Sequence, residues 1–162
     1  MTTHSASESQ TGSRAAHDPC RWQRRYVDQP KVDPVVRSLR HEANAAGEAR
    51  CMAQEVLMRW NIDDDDIDDM LLVISELVTN AVEHALPPVV LQMQHDPAQE
   101  SVWIGVRDSG PGTQAGSWIA SCADDEHGRG LKIVAALATS RGREFATHGR
   151  TTHWVEFRRD AD

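Results

Sequence analysis

The stretch Glu76-Leu-Val-Thr-Asn80-Ala-Val-Glu-His84 decides how this chain is read. It spaces a carboxylate, a carboxamide and an imidazole four residues apart, about one helical turn, so a helix stacks them along one side. Around them Ile67, Met70, Leu71, Ile74, Leu77, Val78, Ala81, Val82 and Ala85 make one continuous apolar stripe, the mark of a helix with one face in a core. The helix is expected to run to about Leu86, where Pro87-Pro88 stops it. Its start falls in Asp63-Asp-Asp-Asp-Ile-Asp-Asp69. That run lacks the glycine and closing glutamate of a calcium loop, and carboxylates favour the positive end of a helix dipole. At 100° per residue Asn80 and His84 lie on the flank of the stripe. Glu76 lies further round, toward the mouth of any cleft.

Working outward, Ala49, Met52, Ala53, Val56, Leu57 and Trp60 form a second helical stripe, with Asn44 as an acceptable N-cap. Before it, Val35 to His41 alternates and reads as an edge strand in preference to a helix start. After the prolines, Val89, Leu91 and Met93 alternate with polar residues, as do Val102, Ile104 and Val106. His95 to Glu100 reads as the turn of this hairpin. Residues 109–128 are small and polar around Trp118-Ile119 and read as a loop of lid type. Leu131 to Ala138 is apolar and helical. Arg141 to Thr147 and Thr152 to Arg158 form a closing hairpin with Val155 and Phe157 inward. The sum is an α+β fold, a two-layer sandwich with helices on one face of a mixed, mostly antiparallel sheet.

Two glycine motifs lie where these elements join. Asp108-Ser-Gly110-Pro-Gly112 follows a strand. A carboxylate at a strand end can accept from an exocyclic amine such as that of adenine, and the glycines let backbone approach a flat ring. Gly128-Arg129-Gly130-Leu131 opens a helix, whose free N–H groups bind phosphate oxygens, with Arg129 and Lys132 adding charge. It is neither a Walker P-loop nor the dinucleotide fingerprint. The Asn80 carboxamide can give Mg²⁺ one oxygen while water and phosphate supply the rest, and the Glu76 carboxylate can orient or deprotonate a nucleophile. Taken alone, each motif is also compatible with a solvated helix face, a plain turn or an ordinary loop-to-helix junction. Together and in this order they point to a nucleoside triphosphate.

In that order and spacing the chain resembles the GHKL ATPase superfamily, whose nucleotide site is the Bergerat fold. The helix carrying Glu76 and Asn80 resembles its N box. Asp108 to Gly112 resembles the first glycine box, and Gly128 to Gly130 the second. Gly149-Arg-Thr151-Thr152 resembles a drifted third box in which either threonine could supply the hydroxyl. The resemblance covers roughly residues 35 to 159. Within the superfamily, Glu-Leu-Val-Thr-Asn-Ala-Val-Glu-His-Ala is most similar to the anti-sigma-factor serine/threonine kinases of partner-switching systems. That resemblance implies Glu76 as general base, Asn80 as Mg²⁺ holder and Asp108 as adenine reader. It places His84, Gly110, Gly112, Gly128, Arg129, Gly130, Leu131 and Thr151 around ATP. It further implies a sigma factor and a small antagonist protein as partners, transcription regulation as the role, and a homodimer. An ATP-dependent binding module without phosphotransfer, or the catalytic half of a split histidine kinase, are the alternatives.

Composition bounds the rest. The 162 residues are 40% hydrophobic, enough for one core. The net charge of −8 argues against a general nucleic-acid binder. Apolar runs are too short to span a membrane, and the polar N-terminus carries no signal region. Cys20, Cys51 and Cys122 form neither a disulfide framework nor a zinc site, so a reducing cytoplasm fits best. The ATPase domain is assigned to residues 33–162. Residues 1–32 lack periodicity and read as a disordered or loosely attached arm. The arm is locally basic through Arg14, Arg21, Arg24, Arg25 and Lys31, either as a solvated tail or as a docking segment for an acidic partner.

Overall fold

The computed structural model describes residues 33–112 and 128–159. In chain order they form β1 (Val35–Leu39), α1 (Ala45–Arg59), α2 (Asp64–His84), β2 (Val89–Asp96), β3 (Ser101–Asp108), α3 (Gly128–Leu137), β4 (Ser140–Phe145) and β5 (Thr151–Arg158). The strands make one sheet in the order β1-β2-β3-β5-β4, with every neighbouring pair antiparallel. Among the described residues every strand pair is antiparallel, so the helices lie on an antiparallel sheet as the sequence led us to expect.

The α2 stripe does what its periodicity requires. Ile67, Met70, Ile74, Leu77, Val78 and Ala81 are buried, and so is Val73, which the stripe did not include. They meet the inward residues Val89, Leu91, Met93, Val102, Ile104, Val106 and Val155, together with Ala45, Ala49, Ala53, Val56 and Leu57 of α1. Both residue sets belong to a single core because strand side chains alternate while the helix stripe returns every turn. Burying a Leu or Ile of this kind contributes roughly 1.5–3 kcal/mol.

Several boundaries differ from the sequence expectation: β1 ends at Leu39 rather than His41, β4 runs Ser140–Phe145 rather than Arg141 to Thr147, and two further shifts have a clear local cause. The helix ends at His84, not near Leu86. The Ala85 N–H still reaches Ala81 O, but the Leu86 N–H turns away to Gly110 O (2.8 Å). The hairpin turn is only Pro97 to Glu100, because His95 and Asp96 remain in β2 opposite Val102 and Ser101. Asp96 accepts from the N–H groups of Ala98 and Gln99 at 3.0 and 3.2 Å, closing the turn from its last strand position.

On the opposite sheet face the packing depends on glycine. A side chain on Gly105 would collide with the Trp103 ring, and one on Gly142 would meet Trp154 at 2.6 Å. The two indoles therefore lie flat along the strands, and Trp154 is buried there.

Candidate nucleotide site

The proposed site residues come from four separate segments, and the backbone ties three of them together. The turn after β3 is sewn to the end of α2. The Ser109 N–H donates to Leu86 O (2.9 Å), the Gly112 N–H donates to His84 O (2.9 Å), and Ala85 bridges Pro111. His84 thus meets the first glycine motif through its carbonyl. Its ring is half-buried, with Nε2 3.6 Å from Glu83.

Gly110 has φ +87°, a left-handed conformation that favours glycine. A Cβ there would lie 2.6 Å from Gly149 O, so the first glycine turn packs directly on the third. Gly149 is itself left-handed at φ +74°. This contact carries β5 into the site. Asp108 pairs across the ladder with Thr151, and both are buried, 3% and 6% exposed. Thr152 pairs with Arg107 and belongs to the other sheet face. Of the two candidate hydroxyls, only that of Thr151 shares a face with Asp108.

Asp108 Oδ1 accepts from the Gly110 N–H at 2.8 Å, which leaves Oδ2 for another donor. Burial raises its carboxyl above the usual carboxylate range, opposed by that Gly110 bond. His153 Nε2 lies 3.9 Å from Oδ2. Burial, and then the Arg143 charge, push the His153 imidazole down to about 4. At neutral pH it is uncharged, so the contact is not an ion pair. His153 was missed in the sequence. It stands two residues after Thr151, hence on the same strand face, and that spacing was the available signal.

The phosphate side is built where α2 meets α3. A Cβ on Gly130 would collide with the Glu76 carboxylate, so in this arrangement Glu76 rests directly against the backbone of α3. Glu76 is half-buried against the first turn of α3, not turned out to an open mouth as the helical angle implied. One turn further on, Asn80 is also half-buried, and its carboxamide makes no hydrogen bond among the described residues. Glu76 and Asn80 therefore line the same side of α2 that faces the start of α3. α3 begins at Gly128, and Lys132 is exposed on it. The side chains of Arg129 and Leu131, and the lid-type loop up to residue 127, lie outside the described part.

The donor set fits ATP with Mg²⁺. Among the described residues no group of three His, Cys, Asp or Glu side chains could hold a metal by itself. A single carboxamide, completed by phosphate oxygens and water, is the arrangement Mg²⁺ accepts.

These elements make an α+β domain of the class that the glycine turns and the Glu76–Asn80 helix led us to expect. The chain belongs to the family of histidine kinase-like ATPase domains, whose model matches residues 39–156. No curated protein matches the chain. Among solved structures it is similar to the RsbU and RsbW domains of Rv1364c from Mycobacterium tuberculosis, at 27% identity and TM-score 0.60, over 78% of this chain and 32% of that one. The chain thus spans about a third of that solved chain. It also shares the fold of a chain in the SiaB–SiaC complex from Pseudomonas aeruginosa, at 9% identity and TM-score 0.59, over 84% of this chain and 95% of that one. The resemblance to GHKL ATPases is thereby borne out. Among the described residues no helix is long and apolar enough to cross a membrane.

Proposed function

We propose that this protein is an ATP- and Mg²⁺-dependent serine/threonine kinase of the anti-sigma-factor type, which regulates transcription in the cytoplasm by binding a sigma factor and phosphorylating a small antagonist protein. The observation that carries the proposal is the packing of Glu76 against Gly130. It puts a carboxylate beside the helix start that would receive the terminal phosphates. Phosphoryl transfer needs mostly positioning and charge neutralisation. Asp108 and Thr151 hold the adenine, and the N–H groups at the start of α3 hold the phosphates. Asn80 would hold Mg²⁺, which supplies charge neutralisation when bound. Glu76 orients the incoming Ser or Thr hydroxyl and takes its proton as the oxygen attacks the γ-phosphorus and ADP leaves. The likeness to a chain that includes an RsbW domain, and to one solved with a protein partner, supports a protein substrate and a partner-binding role.

The same Glu76 contact also favours a second reading. A carboxylate against a helix N-terminus stabilises the helix, so Glu76 could serve only to lock α2 to α3 in an ATP-dependent binding module. Glu76→Gln separates the two, since it keeps the size and removes the base. In a kinase the variant binds ATP nearly as before yet transfers γ-labelled phosphate to its antagonist roughly 10²–10⁴-fold more slowly. Equal rates exclude Glu76 as base, and no transfer by the unsubstituted protein to any cognate antagonist favours the binding module.

A further inference from the structure

At the end of the molecule opposite the nucleotide site lies a cavity of about 320 Å³, at the small end of ligand pockets. It is reached by the far ends of the same elements, at Met70 of α2, Val102 of β3, Leu137 of α3 and Phe157 of β5, which supply its apolar lining. One wall is the stacked pair Trp60 and His95, with ring centroids 5.4 Å apart and planes inclined by 24°. Burial lowers the His95 imidazole, against a smaller opposing effect of Asp96, so the stack is uncharged at neutral pH and does not repel a cation. The charged lining is four carboxylates, Asp63, Asp66, Asp69 and Glu100, against two guanidiniums, Arg158, which pairs with Glu156, and Arg159. Arg159 already shows which chemistry it accepts, its guanidinium donating to Asp63 and to Asp66, the latter at 3.0 Å. Asp69 and Glu100 make no ion pair among the described residues.

We propose that this cavity is the docking site for the chain's own N-terminal arm, with the segment Arg21-Trp22-Gln23-Arg24-Arg25-Tyr26 as its occupant. Three observations converge on that segment. The first is charge. Residues 1–32 hold five Lys and Arg against three Asp and Glu, a net +2 in a chain of −8, so residues 33–162 carry −10. The second is where the arm joins the fold. β1 enters the sheet at Val35 opposite Met93, two residues from His95 of the cavity wall. Asp33 follows Arg25 by eight positions, a reach of up to about 28 Å. The third is chemistry. Guanidinium groups pair with the carboxylates and stack on Trp60, and Trp22 or Tyr26 finds an apolar floor.

The full-length chain with Cys51→Ser and Cys122→Ser, carrying a nitroxide on Cys20, tests this by paramagnetic broadening of backbone amide signals in dilute solution. The expected result is that amides of Asp63, His95 and Glu100 lose most of their intensity while those of Asn80 and Asp108 keep theirs. Arg24→Gln/Arg25→Gln, and separately Asp69→Asn/Glu100→Gln, should restore the lost signals, as should high salt. The arm variant leaves the folded part untouched, so it decides the matter even if the cavity variant fails to fold. Undiminished cavity signals in the parent overturn the proposal. So does broadening that persists in Arg24→Gln/Arg25→Gln, or that arises only when label and isotope sit on different chains, which would place the arm on a second copy.

Discussion

At the scale of single residues, the site turns on one buried carboxylate. Asp108 spends one oxygen on Gly110 and holds the other 3.9 Å from His153 Nε2. Asp108→Asn replaces a fixed acceptor by an amide that can turn its donor to the ring amine. ATP affinity should fall by about 10–100-fold, the cost of roughly 1–3 kcal/mol for an ill-matched buried polar group, and preference for adenine should relax. Calorimetry showing unchanged affinity would remove Asp108 from the site. His153 makes a pH prediction. Its folded value near 4 lies below the ordinary 6.5, so between these values the unfolded chain binds more protons. The stability it contributes is complete above about 6.5 and is lost as pH falls through about 4, by on the order of 3 kcal/mol. Asp108, raised by burial, acts with the opposite sign, binding its proton more readily when folded. Urea titrations across pH should show that acid loss in the parent and a flatter profile in His153→Gln. Identical profiles would mean that His153 is not held neutral.

At the scale of elements, the joint between α2 and α3 is the most constrained feature. Gly130→Ala sets a methyl into the Glu76 carboxylate. That carboxylate is the far end of a flexible side chain and can swing aside, so stability should change by less than about 1 kcal/mol, while Glu76 loses its seat against α3 and phosphoryl transfer slows as in Glu76→Gln. A much larger loss of stability in urea titration would show that the carboxylate cannot move. This joint also marks the limit of sequence reading. The α2 stripe, both hairpins and the order of the glycine turns were legible because each rests on a local period of 3.6 or 2, or on a turn residue. The inward lean of Glu76 was not, because α3 is far away in sequence and its approach is set by a missing side chain. The end of α2 was misplaced for a similar reason: Leu86 leaves the helix to pair with Gly110, a partner 24 positions on. Thr151 could be chosen over Thr152 only once β5 had a register against Asp108.

At the scale of the whole molecule, nucleotide site and acidic cavity occupy opposite ends of the same strands and helices, with one continuous core between them. Deleting residues 1–32 should therefore leave ATP affinity unchanged, since none of the site residues precedes β1. A chain that no longer folds without them would move the domain boundary toward the N-terminus. The kinase reading rests on the molecule's holding ATP through Asn80-bound Mg²⁺. The most direct measurement is calorimetric titration of the full-length chain and of Asn80→Ala with an ATP analogue, each with and without Mg²⁺. The parent should bind in both conditions and more tightly with Mg²⁺, whereas Asn80→Ala should keep the Mg²⁺-independent affinity and lose the increment. No binding by the parent, or an increment that survives in Asn80→Ala, would contradict the account.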